Sequence, residues 1–385
     1  MRARRPNATF ILELVVCLQV LCVSCAHGAA NGVTVQNQGK SPPQIVFACD
    51  RPTDELPSLF TPELIADLKS IGAGIAVPAD LSPQMAEVVQ RLNAAGIPMT
   101  ASLVLPPDRG YYSNAGNAPE TLARFLAFDQ WTRENRLKWD AVGLDIEPNL
   151  SEFGALRDHK LRLIGLALRR AFDAGRVTRA RAQYASIIRE MQGRGYSVDT
   201  YQFPLIADER DAHSTFLERL LGIVDVRGNK EVLMLYTSFN PKLDSAMIWE
   251  YGPEAQAIAV GVTASSGDAA TDAAFPPLDW NQFSRDLIVA RHFSPVIGVY
   301  NLSGCIKQGF IGRLKNMDWD QAVVIPPQAL TGALRLRRLA YAGLWLASNA
   351  VYLAIAIVVL TGWFIFALLR RRRRKSGAPR GTAVA

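Results

Sequence analysis

Residues 139–148 read Trp139-Asp-Ala-Val-Gly-Leu-Asp-Ile-Glu-Pro148. A short apolar run in this stretch ends in two acidic residues, Asp145 and Glu147. Residues two apart on a β-strand point to the same face of the sheet, so both carboxylates leave the strand on one side, and Leu144 and Ile146 on the other. The stretch therefore predicts a buried strand that presents two carboxylates at its carboxyl end.

The same order of apolar run, loop and amphipathic stretch repeats on both sides, between residues 45 and 320. Helix start signals such as Thr61-Pro-Glu-Leu64 and Ser82-Pro-Gln-Met85 combine a capping hydroxyl with a proline in the first turn. The eight apolar runs are residues 45–48, 73–77, 98–105, 141–146, 200–203, 232–236, 257–262 and 296–300. Eight strand–helix units over about 275 residues predict an α/β fold, a (β/α)8 TIM barrel, whose usual size is about 250 residues.

An open, doubly wound sheet also alternates strands with helices and is the main alternative. The first run is followed by no Gly-x-Gly-x-x-Gly turn, and the chain has no Gly-x-x-x-x-Gly-Lys motif. Outside the N-terminal segment the cysteines are Cys49, at the end of the first run, and Cys305, just past the eighth. The first and eighth strands are neighbours only in a closed sheet, so the barrel predicts a Cys49–Cys305 disulfide across its seam.

Both ends of the chain have the character of membrane-targeting segments. Residues 1–30 place three arginines before an apolar run and a series of small residues, which is the pattern of an export signal. Cys25 as a lipid-modified first residue is an alternative. Residues 339–369 contain no charge, and about 20 such residues span a bilayer. The basic tail, residues 370–385, favours a cytoplasmic C-terminus.

These ends predict a single-pass membrane protein whose barrel, residues 45–320, lies outside the cytoplasm, with a bacterial inner membrane and periplasm as the favoured setting. Residues 31–44 and 321–338 are predicted to be linkers. The net charge of +7 comes from the ends, because residues 31–369 alone carry −2. A basic surface of the kind that binds nucleic acid is therefore not expected.

The paired carboxylates carry the chemical prediction. Two acids that face each other in a cleft are costly to ionise together, so one of them is expected to keep its proton near neutral pH. A glycosidase needs such an acid to protonate the leaving oxygen of its substrate. The seventh run ends Val260-Gly-Val-Thr-Ala264 and offers no carboxylate nucleophile. Two alternatives remain for the group that assists the general acid. One is an acetamido group of the substrate, and the other is Asp50 or Asp80 from another strand, although Asp at strand ends commonly caps loops.

Asp140-Ala-Val-Gly-Leu-Asp-Ile-Glu147 resembles the strand-four signature of family 18 glycoside hydrolases, the chitinase-like enzymes, and Met234-Leu-Tyr236 is similar to their Met-x-Tyr-Asp motif. The resemblance implies that Glu147 is the general acid. It also implies that Asp145 orients the acetamido group of the substrate and that Tyr236 donates a hydrogen bond to that group.

The chain departs from the family 18 pattern at three positions. Gly143 stands where the inner Asp is expected, Ala141 replaces a Gly, and Thr237 replaces the Asp that follows the tyrosine. The same carboxylates also fit looser barrel families of polysaccharide hydrolases that act on other sugars.

Further polar residues follow the predicted strands and are expected to bind hydroxyl groups of a sugar: Gln202, Ser238, Tyr300 and Asn301. Tyr111 and Tyr112 either stack on sugar rings or pack within their loop. The histidines show no metal-ligand spacing, so neither a metal nor a cofactor is predicted. The sequence favours a glycoside hydrolase that acts on a polysaccharide. The alternatives are an inactive barrel that binds glycan and a membrane-anchored scaffold.

Overall fold

The computed structural model describes residues 32–149, 165, 169–265, 272, 273 and 275–376. The strands are β1 (Val33–Val35), β2 (Gln44–Ala48), β3 (Gly74–Pro78), β4 (Met99–Ser102), β5 (Ala141–Asp145), β6 (Val198–Gln202), β7 (Lys230–Met234), β8 (Ala257–Gly261), β9 (Val296–Tyr300) and β10 (Val323–Ile325). Strands β2 to β9 are parallel and close into a barrel in chain order. Each overlaps one of the eight predicted runs, so the predicted (β/α)8 fold is confirmed.

Helices cover the outside of the barrel. They are α1 (Leu56–Leu59), α2 (Pro62–Ser70), α3 (Pro83–Ala95), α4 (Ala118–Glu134), α5 (Ala174–Gly193), α6 (Leu205–Asp211), α7 (Phe216–Leu221), α8 (Ala246–Tyr251), α9 (Trp280–Phe293), α10 (Leu302–Lys307), α11 (Phe310–Leu314) and α12 (Pro327–Ser376). Short 3-10 turns occupy residues 53–55, 107–109, 237–239 and 252–254. Thr61 and Ser82 cap α2 and α3 through their hydroxyls, as predicted from their start signals.

Strand pairing, and not a disulfide, closes the seam of the barrel. Strands β2 and β9 pair in parallel from Gln44 opposite Val296 to Ala48 opposite Tyr300. The predicted Cys49–Cys305 bridge is not present, because both cysteines are buried and free. The Cys305 thiol lies in α10, where its Sγ is 3.6 Å from Thr263 Oγ1 in the loop after β8. The cysteines are thus close to the seam without joining it.

Alternation along the strands separates two apolar layers. Val142 and Leu144 of β5 belong to the large core between the strands and the helices. A smaller cluster fills the barrel itself: Val232, Met234, Ala257 and Ala259, with Tyr201, Phe203 and Tyr236 against it. Residues 143, 145 and 147, of the opposite parity to Val142 and Leu144, therefore face the interior of the barrel and its mouth, the end where the strands finish.

Strands β1 and β10 lie in segments that the sequence predicts to be linkers. They pair antiparallel, with Val33 opposite Ile325, and the side chains of Val35 and Ile325 are buried. Asn37 then donates a hydrogen bond of 2.7 Å to the carbonyl of Ile288 in α9. A three-residue strand is too short to show a periodic pattern, so sequence alone gives no signal for this small sheet.

Helix α12 contains the predicted membrane segment and extends it at both ends. Within the described residues it is the one helix long and apolar enough to cross a membrane. Side chains from Val351 to Leu369 are largely exposed although most are apolar. The predicted export signal, residues 1–30, lies outside the described residues, as do residues 377–385 of the predicted tail.

Candidate active site

The two predicted carboxylates lie together at the mouth of the barrel. Strand β5 ends at Asp145, and Ile146 continues it by bridging to Ser113 in the loop after β4. The amide of Ser113 donates 2.9 Å to the carbonyl of Asp145, and the amide of Glu147 donates 3.2 Å to the carbonyl of Ser113. These bonds hold the backbone on both sides of the pair, so the acids stay on one face. Both side chains are half-buried.

Within the described part of the chain, no cation contributes to the electrostatic environment of the two acids. Burial raises the pKa of Asp145 to about 7. Burial, and after it the charge of Asp145, raise the pKa of Glu147 well above its usual value. Asp145 Oδ1 is buried and makes no hydrogen bond among the described residues. The raised pKa favours the protonated form of Glu147, which is the state that a general acid requires.

Tyrosines surround the pair. Burial raises the pKa of Tyr236, and the charge of Asp145 raises it further. Burial also raises the pKa of Tyr112, and the charge of Glu147, followed by that of Asp145, raises it further. The Tyr236 ring lies 5.9 Å from that of Tyr300. All of these phenols remain protonated and can donate hydrogen bonds to a ligand at the mouth.

Tyr201 occupies the space beside Gly143, the position where the family 18 signature has an Asp. It stands opposite Asp145 in the β5–β6 register. A Cβ added to Gly143 would lie 3.1 Å from Tyr201 Cε2. An aromatic ring thus replaces the inner carboxylate next to Asp145. Sequence analysis did not select Tyr201, although the alternation of β6 with the pairing register would have identified it.

A second group of predicted residues meets at the seam. Asp50 accepts hydrogen bonds from the Tyr300 hydroxyl at 3.0 Å and from Asn301 Nδ2 at 3.1 Å. Asn301 Oδ1 accepts from the amide of Gly304 at 3.0 Å and caps α10. The charge of Glu147 contributes to the raised pKa of Tyr300, after burial and Asp50. Tyr300 therefore joins the seam cluster to the carboxylate pair.

A cavity of about 510 Å³ opens at the mouth beside this seam cluster. Its lining includes Asp50, Asn301, Arg51 and Lys307. Neither Asp145 nor Glu147 lines this cavity, so it adjoins the seam cluster and not the carboxylate pair itself.

Two other predicted sugar-binding residues, Gln202 and Ser238, and the candidate acid Asp80 make hydrogen bonds within the fold. Gln202 is fully buried and donates to the carbonyls of Val224 and Val226 at 3.1 and 3.3 Å. The Ser238 hydroxyl is buried and accepts from the amide of Val262 at 2.8 Å. Asp80 accepts from the Thr53 hydroxyl and from the amide of Ser82. Gln202 faces the helices because it has the opposite parity to Tyr201, and Asp80 caps a loop, the alternative use considered for it.

Tyr184, which the sequence did not indicate as part of the site, helps to hold the loop that carries Tyr111 and Tyr112. Tyr184 of α5 donates 2.8 Å to Asn117 Oδ1 and accepts 3.1 Å from the amide of Asn114. Asn117 Nδ2 in turn donates 2.8 Å to the carbonyl of Tyr112. A tyrosine on the buried face of a helix has the pattern of a core residue, so the sequence carried no signal of this role.

No protein-family model matches the chain, and no curated protein matches it. Among solved structures the chain is similar to the glycoside hydrolase domain of PgaB (BpsB) from Bordetella bronchiseptica, with 10% identity and a TM-score of 0.43 over 71% of this chain and 98% of that one. A D-tagatose 3-epimerase-like protein follows, with 10% identity and a TM-score of 0.39 over 71% and 97%. A GH5-4 broad specificity endoglucanase from an uncultured bacterium has 14% identity and a TM-score of 0.38 over 71% and 84%.

These neighbours include glycoside hydrolases and an epimerase-like protein at similar scores. Likeness at this level does not separate one chemistry from another, because barrels of this type support many activities. Function must therefore be judged from the side chains at the mouth.

Proposed function

We propose that the protein is a membrane-anchored glycoside hydrolase that works outside the cytoplasm on a polysaccharide. The observation that carries the proposal is the pair of half-buried carboxylates at the mouth, with a raised pKa on each and no cation beside them among the residues that the structure describes. Burying acids without a counter-charge costs stability, and such costs concentrate at functional sites. The tyrosines around the pair add ring faces and hydroxyl donors, which suit a sugar.

Glu147 acts as the general acid in this proposal. Its proton moves to the glycosidic oxygen as the bond from that oxygen to the anomeric carbon breaks, and the leaving sugar departs with a new hydroxyl group. The resulting carboxylate then accepts a proton from water, whose oxygen bonds to the anomeric carbon. Glu147 ends the cycle protonated again.

Assistance by an acetamido group of the substrate is the favoured route to the intermediate. Asp145 Oδ1 has no partner among the described residues, so it can accept the acetamide N–H and turn the acetamide oxygen toward the anomeric carbon. Tyr236 packs against the interior cluster of the barrel, its pKa is raised in part by Asp145, and in this proposal its hydroxyl donates to that oxygen. This route makes an N-acetylhexosamine polymer the first substrate to test.

Tyr201 favours a second candidate, a barrel that binds glycan without cleaving it. Its ring takes the space of the inner carboxylate of the family 18 signature. An aromatic face beside Asp145 can stack on a sugar, but it cannot share a proton with that acid. The two candidates differ in turnover and agree in binding.

The test uses the full chain in detergent with polymers that contain or lack acetamido groups. Release of reducing ends, lost in Glu147→Gln and retained in Glu87→Gln, supports hydrolysis. Glu87 is exposed on α3, so its variant makes the same chemical change away from the mouth. Binding without turnover on any polymer, unchanged in Glu147→Gln, would establish the glycan-binding alternative and overturn the proposed hydrolase.

The membrane topology is proposed from the uncharged residues 339–369 and the arginines that follow them. In bacterial cells that express the chain, a protease added to spheroplasts should cut the barrel and leave a C-terminal tag protected. Protection of the barrel together with cleavage of the tag would reverse the proposed orientation.

A further inference from the structure

Helix α12 has two parts that differ in how they use their apolar residues. Up to Leu344 one stripe is buried against the barrel, formed by Ala329, Leu330, Ala333, Leu336 and Leu344. Ala329 and Leu330 lie four and three residues before Ala333, Leu336 lies three after it, and Leu344 follows eight residues later, so all five share one helix face. From residue 345 to residue 370 no side chain is buried and most are exposed, as with Tyr352 at 74% and Trp363 at 68%. The helix therefore docks first and leaves the barrel afterwards.

An arginine clamp fixes the docked part. Arg337 Nε lies 3.1 Å from Asp208 Oδ1 on α6, and its guanidinium also pairs with Glu254. The same group lies over the Tyr251 ring, 4.5 Å from its centroid, and the Tyr251 hydroxyl donates 2.6 Å to Asp208 Oδ2. One side chain of α12 thus contacts α6, α8 and the turn after α8, so the docked part cannot rotate freely.

Contacts along α12 also give its direction. Gly332 packs against Leu243, which precedes α8, since an added Cβ would lie 2.6 Å from Leu243 Cδ2. Five residues later, Arg337 reaches the Glu250 carbonyl near the end of α8, and Glu254 beyond it. Helix α8 runs from the mouth toward the floor, the end of the barrel where the strands begin. Helix α12 therefore runs from the mouth side to the floor.

Distances along the helix place the floor near the lipid. A span of about 20 residues that ends at Leu369 begins near Ala350, roughly 9 Å beyond Leu344 at 1.5 Å per residue. From Ala141 at the start of β5 to Glu147, the strand direction covers about 15 to 20 Å away from the floor. The carboxylates thus lie on the side of the barrel opposite to the bilayer.

We infer that the barrel stands on the membrane with its floor toward the lipid and its mouth toward the aqueous space, held there by the docked part of α12. If the proposed hydrolase activity holds, which this second step rests on, the substrate is a polymer that reaches the mouth from that space. A short glycan attached to a lipid in the same membrane would lie on the wrong side of the barrel.

The orientation is tested with the full chain in nanodiscs that contain a lipid with a nitroxide on its headgroup. A dye is attached through Asp108→Cys near the mouth or Lys138→Cys at the floor, both exposed positions. Cys49 and Cys305 are buried, and the parent protein without either added thiol gives the background labelling. The dye at residue 138 should be quenched several-fold more than the dye at residue 108. Equal quenching, or stronger quenching at residue 108, would overturn the inference.

A variant of the clamp tests what holds the barrel. Arg337→Met should reduce the difference in quenching between the two dyes, because α12 loses the ion pairs and the ring contact that Arg337 makes with α6, α8 and the turn after α8. Arg338→Met makes the same change at the adjacent exposed residue and should preserve the difference. Circular dichroism separates a folded barrel that tilts from one that unfolds. A folded Arg337→Met protein with the full difference would show that the clamp does not set the orientation.

A separate experiment tests the inferred substrate class. A soluble polymer should be cleaved at the same rate by the protein in nanodiscs and in detergent, whereas a short lipid-linked glycan should be cleaved in detergent only. Cleavage of the lipid-linked glycan in nanodiscs would contradict the inferred substrate class. Quenching needs no turnover, so an inactive protein would defeat the proposed function and leave the orientation to be decided by the dyes.

Discussion

The interior of the barrel holds acidic side chains at its floor and at its mouth, and the residues that surround them differ. At the floor, Asp199 Oδ2 lies 3.0 Å from Lys230 Nζ on the neighbouring strand. Burial raises the pKa of Asp199, and Lys230 acts against that rise. At the mouth, the described neighbours of Asp145 and Glu147 are each other and the tyrosines, and no cation among the described residues lowers the pKa of either acid.

Asp199 forms an ion pair that stabilises the fold, whereas Asp145 and Glu147 form no ion pair with any described residue. A buried charge is normally paired, because an unpaired one costs several kcal/mol. The acid at the floor is paired with a cation, whereas the acids at the mouth are not paired with any described cation. Unpaired buried acids are useful only if a ligand or a reaction needs a protonated carboxyl group there.

Removing the acid at the mouth gives the largest expected effect. Glu147→Gln keeps the size of the side chain and removes the transferable proton, so hydrolysis should fall by roughly 10³-fold, the middle of the range for a general acid. The free energy of unfolding at neutral pH should stay the same or rise, because an amide has no ionised form to destabilise. Reducing-end assays and chemical denaturation measure the two quantities. Full activity in this variant would remove the distinction between mouth and floor.

Removing the cation at the floor should have the opposite signature. Lys230→Met leaves Asp199 buried without its partner and should lower the free energy of unfolding by about 2 kcal/mol, less than for a fully buried pair because Lys230 is partly exposed. Activity per folded molecule should not change, since the pair lies at the other end of the barrel. The double variant Lys230→Met with Asp199→Leu should recover most of the loss. A loss of activity with unchanged stability would show that the floor also serves the reaction.

The pH dependence sharpens the contrast further. The charge of Asp145 helps to raise the pKa of Glu147, so Asp145→Asn should move the alkaline limb of any residual activity to lower pH. Stability gives a second readout. The folded protein holds the Asp145 proton up to about pH 7, whereas an unfolded chain releases it near pH 4. Its burial therefore costs little below pH 4, and the cost grows as the pH rises toward 7.

Asp145→Asn should accordingly gain stability relative to the parent protein as the pH rises from about 4 to 7, and the difference should level off above that. Asp140→Asn is the control, because Asp140 is exposed on the floor side of the same strand. A constant difference across this range would show that Asp145 titrates normally.

The sequence predicted the periodic features of the fold and the residues that lie on them. Each of the eight barrel strands overlaps its apolar run, because parallel strands buried on both faces leave an uninterrupted apolar signal. The carboxylates were identified because alternation on one strand fixes their common face. Strands β1 and β10, Tyr184 and the contacts of Arg337 depend on residues far apart in the chain, and no local pattern records such pairs. The topology correctly placed Cys49 and Cys305 near the seam, but a disulfide also depends on the direction of the side chains, which topology does not give.

The smallest expected effect concerns the position where the mouth departs from the family 18 signature. Gly143→Ala places a Cβ 3.1 Å from Tyr201 Cε2, so the ring must shift, and the free energy of unfolding should fall by about 1 kcal/mol. Tyr201→Leu removes the obstacle, and the double variant should lose less than the sum of the two single changes, because the two sites share one space. Thermal or chemical denaturation of the four proteins measures this coupling. Strict additivity would mean that the Tyr201 ring does not fill the space beside Gly143, and that the mouth has room there for a sugar or for the carboxylate that the signature contains.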